Sequence, residues 1–294
     1  FTPYYDVALK EARHAILEQS PRYCGHRAML EDGDHLARVW SEARPDVAVH
    51  LAAQAGVRYS LESPRSYVDS NIVGTFNLME LTREHRAKHF LLASTSEIYG
   101  DALVHPQPET YWGNVNSVGP RSVYDEAKRF AEALAMAYLR YHEVDVKIAR
   151  IFNTMGPRMK PEDGRVVSNL LVQAIRGLPL TVYGDGTQSR SFCFVEDEVR
   201  GLLALLESDH RGPMNVGNPD EFTILELVDL VREVTGTHSE IVFEPLPADD
   251  PVRRRPDITL AGAVLGWRPE VPLRAALART CEWYRDELAR TEGP

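Results

Sequence analysis

Cysteine is scarce in this sequence. Three residues in 294, Cys24, Cys193 and Cys281, stand far apart and are odd in number. That excludes a disulfide framework and predicts a reducing, cytoplasmic setting. No apolar stretch approaches the length that crosses a bilayer, and no secretory leader is visible. Positive charge is in deficit, with 33 Lys and Arg against 43 Asp and Glu and a formal net charge of −10. Nonspecific nucleic-acid binding is therefore not expected. The 10 histidines show no metal-ligand spacing such as His-Glu-x-x-His, so no metal is read. Internal repeats and low-complexity tracts are also missing. The first residue is Phe1 and not methionine, which predicts that the natural chain extends further upstream.

The sequence does carry an alternation of strand-like and helix-like stretches. Val47 to Ala52 is a short apolar run suited to a buried parallel strand, and 66–84 reads as a helix. His89 to Thr95 is the next strand, 122–142 a long helix, and Val144 to Ile151 a third strand. This βαβ rhythm predicts an α/β fold with a doubly wound parallel sheet. Beyond Phe152, prolines and glycines mark loops among shorter elements: helices at 166–176, 225–234 and 273–288, and strands at 180–183, 214–216 and 241–244. They predict a smaller mixed α/β lobe over 154–294, interleaved with the sheet of 1–153. The long loop is expected at 245–256. Gly184-Asp-Gly186 reads as a turn, and Tyr111 and Trp112 as packing residues.

The chemistry concentrates in Ser122-Val-Tyr-Asp-Glu-Ala-Lys128 and in Thr95-Ser-Glu97 just upstream. On a helix Tyr124 and Lys128, four apart, share a face. A cation near a phenol favours tyrosinate. Lowering a phenol pKa from about 10 toward about 7 takes roughly 4 kcal/mol and would yield a general base. Thr95 to Glu97 fall at the carboxyl end of a parallel strand, where α/β sheets bind ligands. The bland alternative is an ordinary amphipathic-helix pair, and Arg253-Arg-Arg255 taken alone is a solvated charge run.

Further motifs stand in order along the chain. They are Leu91-Leu-Ala-Ser-Thr-Ser-Glu-Ile-Tyr-Gly100, His105-Pro-Gln-Pro-Glu-Thr-Tyr-Trp-Gly-Asn114, Gly119-Pro-Arg-Ser-Val-Tyr-Asp-Glu-Ala-Lys128, Ala149-Arg-Ile-Phe-Asn153, Asp163-Gly-Arg-Val-Val-Ser-Asn169, Leu180-Thr-Val-Tyr-Gly-Asp-Gly186 and Arg253-Arg-Arg-Pro-Asp-Ile258. Together they resemble the extended short-chain dehydrogenase/reductase superfamily, and within it the UDP-glucuronate decarboxylases (UDP-xylose synthases). Two stretches of the first third, Tyr4-Tyr-Asp-Val-Ala-Leu-Lys-Glu-Ala-Arg13 and Ala53-Gln-Ala-Gly-Val-Arg-Tyr-Ser-Leu-Glu62, look more like UDP-glucuronate 4-epimerases. Both relatives act on the same substrate. The decarboxylases carry a glutamate at Glu97 and an arginine at Arg254, where the 4-epimerases differ.

The resemblance implies a Rossmann-type NAD-binding domain over 1–153 and a UDP-sugar-binding lobe mainly within 154–294. Leu51, Ala52, Ala53, Asn71, Ser94, Tyr124, Lys128 and Ile151 would hold NAD. Asn153, Arg165, Val166, Tyr183, Arg190 and Arg254 would hold the UDP-sugar. Tyr124, Lys128 and Thr95 would act at C4 of the sugar, and Ser96, Glu97 and Arg254 around its carboxylate and C5. The family's Gly-x-x-Gly-x-x-Gly phosphate loop does not occur in this sequence and is expected upstream of Phe1. Met29 stands where the family usually has the aspartate that contacts the adenosine. The implied reaction is NAD-dependent decarboxylation of UDP-glucuronate through a 4-keto sugar, giving UDP-xylose or, if released early, UDP-4-keto-xylose. The alternatives are 4-epimerisation and a non-catalytic sugar-nucleotide or NAD-binding protein. A homodimer is implied, packed through the helix bearing Tyr124 with Phe130, Leu134 and Tyr138 on its outer face; the alternative for these three is intrachain core.

Overall fold

The computed structural model describes residues 2–56, 58–120, 122–161, 163–246 and 253–292. The chain opens with two helices, α1 (Val7–Leu17) and α2 (Gly33–Ala43). Asp6 and Asp32 start them by accepting the Ala8 and His35 amides, satisfying donors that have no intrahelical partner. Strand β1 (Val47–His50) follows. The single helix expected over 66–84 is divided. A short α3 (Pro64–Tyr67) passes into a π-helical segment (Val68–Val73) and then α4 (Gly74–Glu84). Such wide turns cluster at functional sites because they re-aim a side chain, and here the segment carries Asn71.

Strand β2 (His89–Thr95), the long helix α5 (Ser122–Tyr141) and β3 (Val146–Ile151) complete the first half. Next come β4 (Thr154–Met155), α6 (Val166–Ile175), β5 (Leu180–Tyr183), β6 (Ser189–Ser191), β7 (Cys193–Phe194), α7 (Val195–Glu207) and β8 (Gly212–Val216). The chain ends with β9 (Glu221–Thr223), α8 (Ile224–Thr235), β10 (Ile241–Glu244), β11 (Arg253–Arg254), α9 (Thr259–Leu265) and α10 (Leu273–Glu292). Much of the loop expected at 245–256 lies outside the described residues, but Arg253 and Arg254 form a strand and not a loop.

Among the described residues the main sheet is four-stranded and parallel, in the order β1-β2-β3-β8. Strand β8 comes from the second half of the chain, which therefore returns to the sheet. Phe90 and Leu92 pack with Ala131, Ala135 and Tyr138 of α5 on one face, whereas Leu91 packs with Leu205 and Trp267 on the other. Alternate residues of one strand thus serve opposite cores, and a strand covered on both faces reads as a continuous apolar run. A separate core joins α6, α8 and α10 over β5, with Leu170, Leu227 and Leu277 fully buried. Tyr138, expected on an outer face, is 6% exposed, and its hydroxyl donates to Glu80. Leu134 packs against the same core, and Phe130 of the expected trio is 46% exposed. Trp112, read as a packing residue, is 89% exposed. Tyr111 does pack, stacked on Tyr99 with ring centroids 6.1 Å apart.

Candidate active site

Strand β2 ends at Thr95, and a 3-10 turn (Ser96–Tyr99) begins where the sheet stops. The Thr95 hydroxyl accepts the Glu97 amide at 3.2 Å, and Ser96 is buried beside it. Across from this turn, α5 presents Tyr124 and Lys128 on one face. The Tyr124 and Thr95 side chains are hydrogen-bonded. The Lys128 ammonium is buried and donates to the Ala93 carbonyl at 2.9 Å. Burial lowers the Lys128 pKa to about 8, partly opposed by Glu132 one turn further along α5.

The phenol does not behave as its spacing to Lys128 suggests. Burial, then the Glu97 charge, push Tyr124 up to about 12, against the Thr95 hydrogen bond and the Arg165 charge, which pull it down. Lys128 gives its contact to a backbone carbonyl. Arg165 is a cation whose charge pulls the phenol down.

Glu97 extends from the turn to meet Arg254, 157 residues away, in an ion pair. Arg254 is 4% exposed, and its Nη2 has no hydrogen-bond partner among the described residues. Its strand pairs in parallel with β6, placing Arg254 opposite Arg190, and β9 completes this small sheet. Gln107 locks the strand's exit, since its amide donates to the Arg255 carbonyl at 2.9 Å and its side chain accepts the Arg255 amide at 2.8 Å. The His105 motif and the arginine triplet, remote in sequence, are thus one structural unit.

Beneath the turn lies a polar network that the sequence reading missed. Ser94, Arg150 and Asn215 are register partners across β2, β3 and β8. Glu132 of α5 accepts from Ser94 Oγ at 2.5 Å and from Arg150 Nε and Nη2 at 3.1 and 2.8 Å. Arg150 Nη1 donates to the Tyr99 hydroxyl at 2.9 Å, which donates to Asn215 at 2.8 Å. Two signals were readable: Glu132 stands four residues after Lys128 on its face, and Arg150 interrupts an apolar strand, where a charge must be paired.

The loop after β1 carries Leu51, Ala52 and Ala53, the first two exposed and the third half-buried. Asn71 clamps its far end, accepting the Gln54 amide at 2.7 Å and donating to the Gln54 carbonyl at 3.1 Å. The Tyr67 hydroxyl donates to the Ala55 and Gly56 carbonyls, and its ring meets Tyr124 edge-on at 6.2 Å. Gln54 and Tyr67 were not singled out from sequence. Small side chains at the sheet edge, a clamped loop and a buried ammonium with donors to spare fit the nicotinamide-ribose end of a dinucleotide. His50 is buried, held near 4 by burial and then by Lys128, and donates to or accepts from Thr75 at 3.0 Å; it is a neutral packing group. Ile151 closes the same edge as the register partner of Thr95.

Five residues remain from the substrate-side reading. Asn153 follows β3; its carbonyl accepts the Cys193 amide at 2.8 Å, and its side chain donates to Ser191. Arg165 and Val166 begin α6, and Arg165 is paired with Asp163 at 2.9 Å while its charge reaches Tyr124. Arg190 donates to the Ser189 carbonyl at 2.8 Å. Tyr183 ends β5, 37% exposed, on a strand paired with β10 and outside the sheet carrying Arg190 and Arg254. Among the described residues, no group of three or more His, Cys, Asp or Glu has a metal-holding arrangement.

The family model for GDP-mannose 4,6 dehydratase matches residues 6–280. UDP-glucuronic acid decarboxylase 1 of Arabidopsis thaliana is 53% identical over 243 residues, covering 83% of this chain and 56% of that protein. UDP-glucuronic acid decarboxylase 1 of Danio rerio is 48% identical over the same share of this chain and 58% of its own. The chain thus spans little more than half the length of these curated relatives. Among solved structures, UDP-glucuronic acid 4-epimerase from Bacillus cereus, in complex with UDP-glucuronic acid and NAD, superposes with a TM-score of 0.87 at 27% identity, over 96% of this chain and 87% of that one. UDP-glucose 4-epimerase from Thermotoga maritima gives 0.84 at 31% identity, over 90% and 84%. The fold is Rossmann-type, and the chain belongs to the GDP-mannose 4,6 dehydratase family of extended short-chain dehydrogenases/reductases.

Proposed function

We propose that the protein catalyses NAD-dependent decarboxylation of UDP-glucuronate through a 4-keto sugar. The observation that carries this reading is the Glu97–Arg254 ion pair set beside Thr95 and Tyr124. A uronate is attached to C5 and loses CO2 readily once C4 is a ketone, because the electrons left behind delocalise into an enolate. Such a reaction needs a base at O4 and charged groups near C5. Tyr124, under the influence of both Thr95 and Glu97, and the Glu97–Arg254 pair would supply them. The decarboxylases at 53% and 48% identity support the same choice.

Bound NAD would accept a hydride from C4 and return it. Leu51 to Ala53, Asn71, Ser94, Lys128 and Ile151 would line its nicotinamide end, with Lys128 hydrogen-bonding the ribose. Tyr124 takes the proton of the C4 hydroxyl and Thr95 holds that oxygen. With its pKa near 12, the phenol is protonated at neutral pH, so proton transfer depends on positive charge drawn close by bound ligands, each pKa unit corresponding to about 1.4 kcal/mol. Arg254 offers its unpartnered Nη2 to the uronate carboxylate or a water, while Glu97 and Ser96 serve C5. Asn153, Arg165, Val166, Tyr183 and Arg190 form the UDP-sugar side. Residues 1–153 serve the cofactor and 154–294 mainly the UDP-sugar, with β8 tying the halves together.

Glu97→Gln tests the assignment. It should leave sugar oxidation, followed as NADH, within a few-fold of wild type while slowing CO2 release about 100-fold. Equal loss of both steps would refute the division of roles. A second reading, 4-epimerisation, is favoured by the Tyr4-Tyr5 segment and the B. cereus superposition, and it predicts unchanged mass with C4 inverted. A homodimer through α4 and α5 accounts for the exposed Phe76, Val123 and Phe130, and charge at Phe130 should give a monomer in sedimentation. Among the described residues no helix is long and apolar enough to cross a membrane; a cytoplasmic location fits the reduced cysteines.

A further inference from the structure

Helix α1 buries none of its residues, so apolar packing does not explain where it sits. Polar and aromatic contacts at its start do. The Tyr4 ring lies 4.6 Å from that of Tyr59, and its hydroxyl presses on Gly56, leaving no room for a Cβ there. The Tyr5 hydroxyl donates to Asp163 Oδ1 at 3.0 Å, and Arg13 donates to the Arg158 carbonyl. Residues 2–17 therefore strap the loop after β1 to the segment carrying Arg158 and Asp163; under the function proposed above, the first serves the cofactor and the second the substrate.

The strap ends in a relay. Asp163 is almost fully covered, its side chain 3% exposed, with Tyr5 on one oxygen and Arg165 on the other at 2.9 Å. Between them Gly164 adopts φ +81, and a Cβ added there would meet no heavy atom within 4 Å, so the loop is not fixed by packing. Arg165 in turn acts on Tyr124.

We propose that Tyr5 is a positioning residue for the anionic part of the nucleotide-sugar substrate: it fixes Asp163, and Asp163 aims Arg165 into the cleft. The proposal rests on the function proposed above and adds the Tyr4-Tyr5 segment to the substrate site. A chain lacking the Tyr5 hydroxyl keeps its ring packing but loses a hydrogen bond to a charged group.

The test uses full-length wild type, Tyr5→Phe, Asp163→Asn and the double variant. Amide hydrogen exchange is read without ligand; titration calorimetry is then run with UDP-glucuronate, and with NAD as a control. Tyr5→Phe should speed exchange across 163–167, weaken UDP-glucuronate about three- to tenfold, raise KM similarly and leave kcat within about twofold. NAD affinity and the melting temperature should hold, and the double variant should be no worse than Asp163→Asn. Unchanged exchange and affinity in Tyr5→Phe would overturn the proposal. So would additive losses, or a weakening shared by NAD and the melting temperature. If wild type bound no UDP-glucuronate, the proposed function would fail, and the exchange data would still decide whether the strap orders the loop.

Discussion

Two buried arginine–carboxylate pairs sit at the same end of the sheet, and they are finished differently. In the Glu132–Arg150 pair, three guanidinium nitrogens donate to Glu132, Tyr99 and the Glu109 carbonyl, and Ser94 adds a hydrogen bond to the carboxylate. In the Glu97–Arg254 pair, Arg254 Nη2 is buried and donates to nothing among the described residues. A buried charge with full partners fixes geometry, while an unfilled buried donor costs free energy unless something else fills it. The first pair holds β2, β3 and α5 together, and the second keeps a donor unfilled. Burial does not separate the two, since both arginines are under 10% exposed; under the proposed function the unfilled donor is what sets the second pair apart from scaffold.

Breaking each pair should therefore give opposite signatures. The largest effect expected is on neither, but on the phenol between them: Tyr124→Phe should cut sugar oxidation at least about 1,000-fold while UDP binding persists, checked by NADH formation and calorimetry. Glu132→Ala leaves Arg150 buried and uncompensated and should cost about 3–5 kcal/mol in denaturant unfolding. Arg254→Lys loses the planar fork but keeps the charge. It should cost less than about 1 kcal/mol of stability and slow CO2 release about 10- to 100-fold. A stability loss in Arg254→Lys matching that in Glu132→Ala would erase the contrast.

The smallest effect concerns a third carboxylate. Glu198 is 3% exposed and accepts from the Thr154 hydroxyl at 3.3 Å, next to Asn153. Burial, with the Asp197 charge added, pushes it from 4.5 up to about 8. The folded state thus keeps a proton that the unfolded chain releases. The stabilisation is complete below about pH 4.5 and is lost as pH rises toward about 8. Glu198→Gln should flatten the melting temperature across that window and gain relative to wild type at its alkaline end.

The main sheet was legible because its central strands are covered on both faces and read as apolar runs: His89–Thr95 matches its expected limits. The π-helical segment at Val68–Val73 was not legible, since its apolar pattern fits an ordinary helix and the widening answers to the Asn71 clamp on Gln54. The resemblance set Glu97 and Arg254 around one substrate group, but their ion pair was not foreseen, as nothing local joins positions so far apart. The fate of the Lys128 ammonium was missed for the opposite reason. Helical spacing places it on the Tyr124 face, but only the folded chain shows that the Ala93 carbonyl captures it. Tyr138 misled in the same way, because an amphipathic stripe does not say which edge faces solvent.

The central claim is tested most directly by mass spectrometry of UDP-glucuronate incubated with the full-length protein and NAD. The account predicts a product lighter than UDP-glucuronate by the mass of CO2 alone for UDP-xylose, or by CO2 and two hydrogens for the released ketone. A product of unchanged mass, or no product from protein that binds both NAD and the sugar nucleotide, would contradict it.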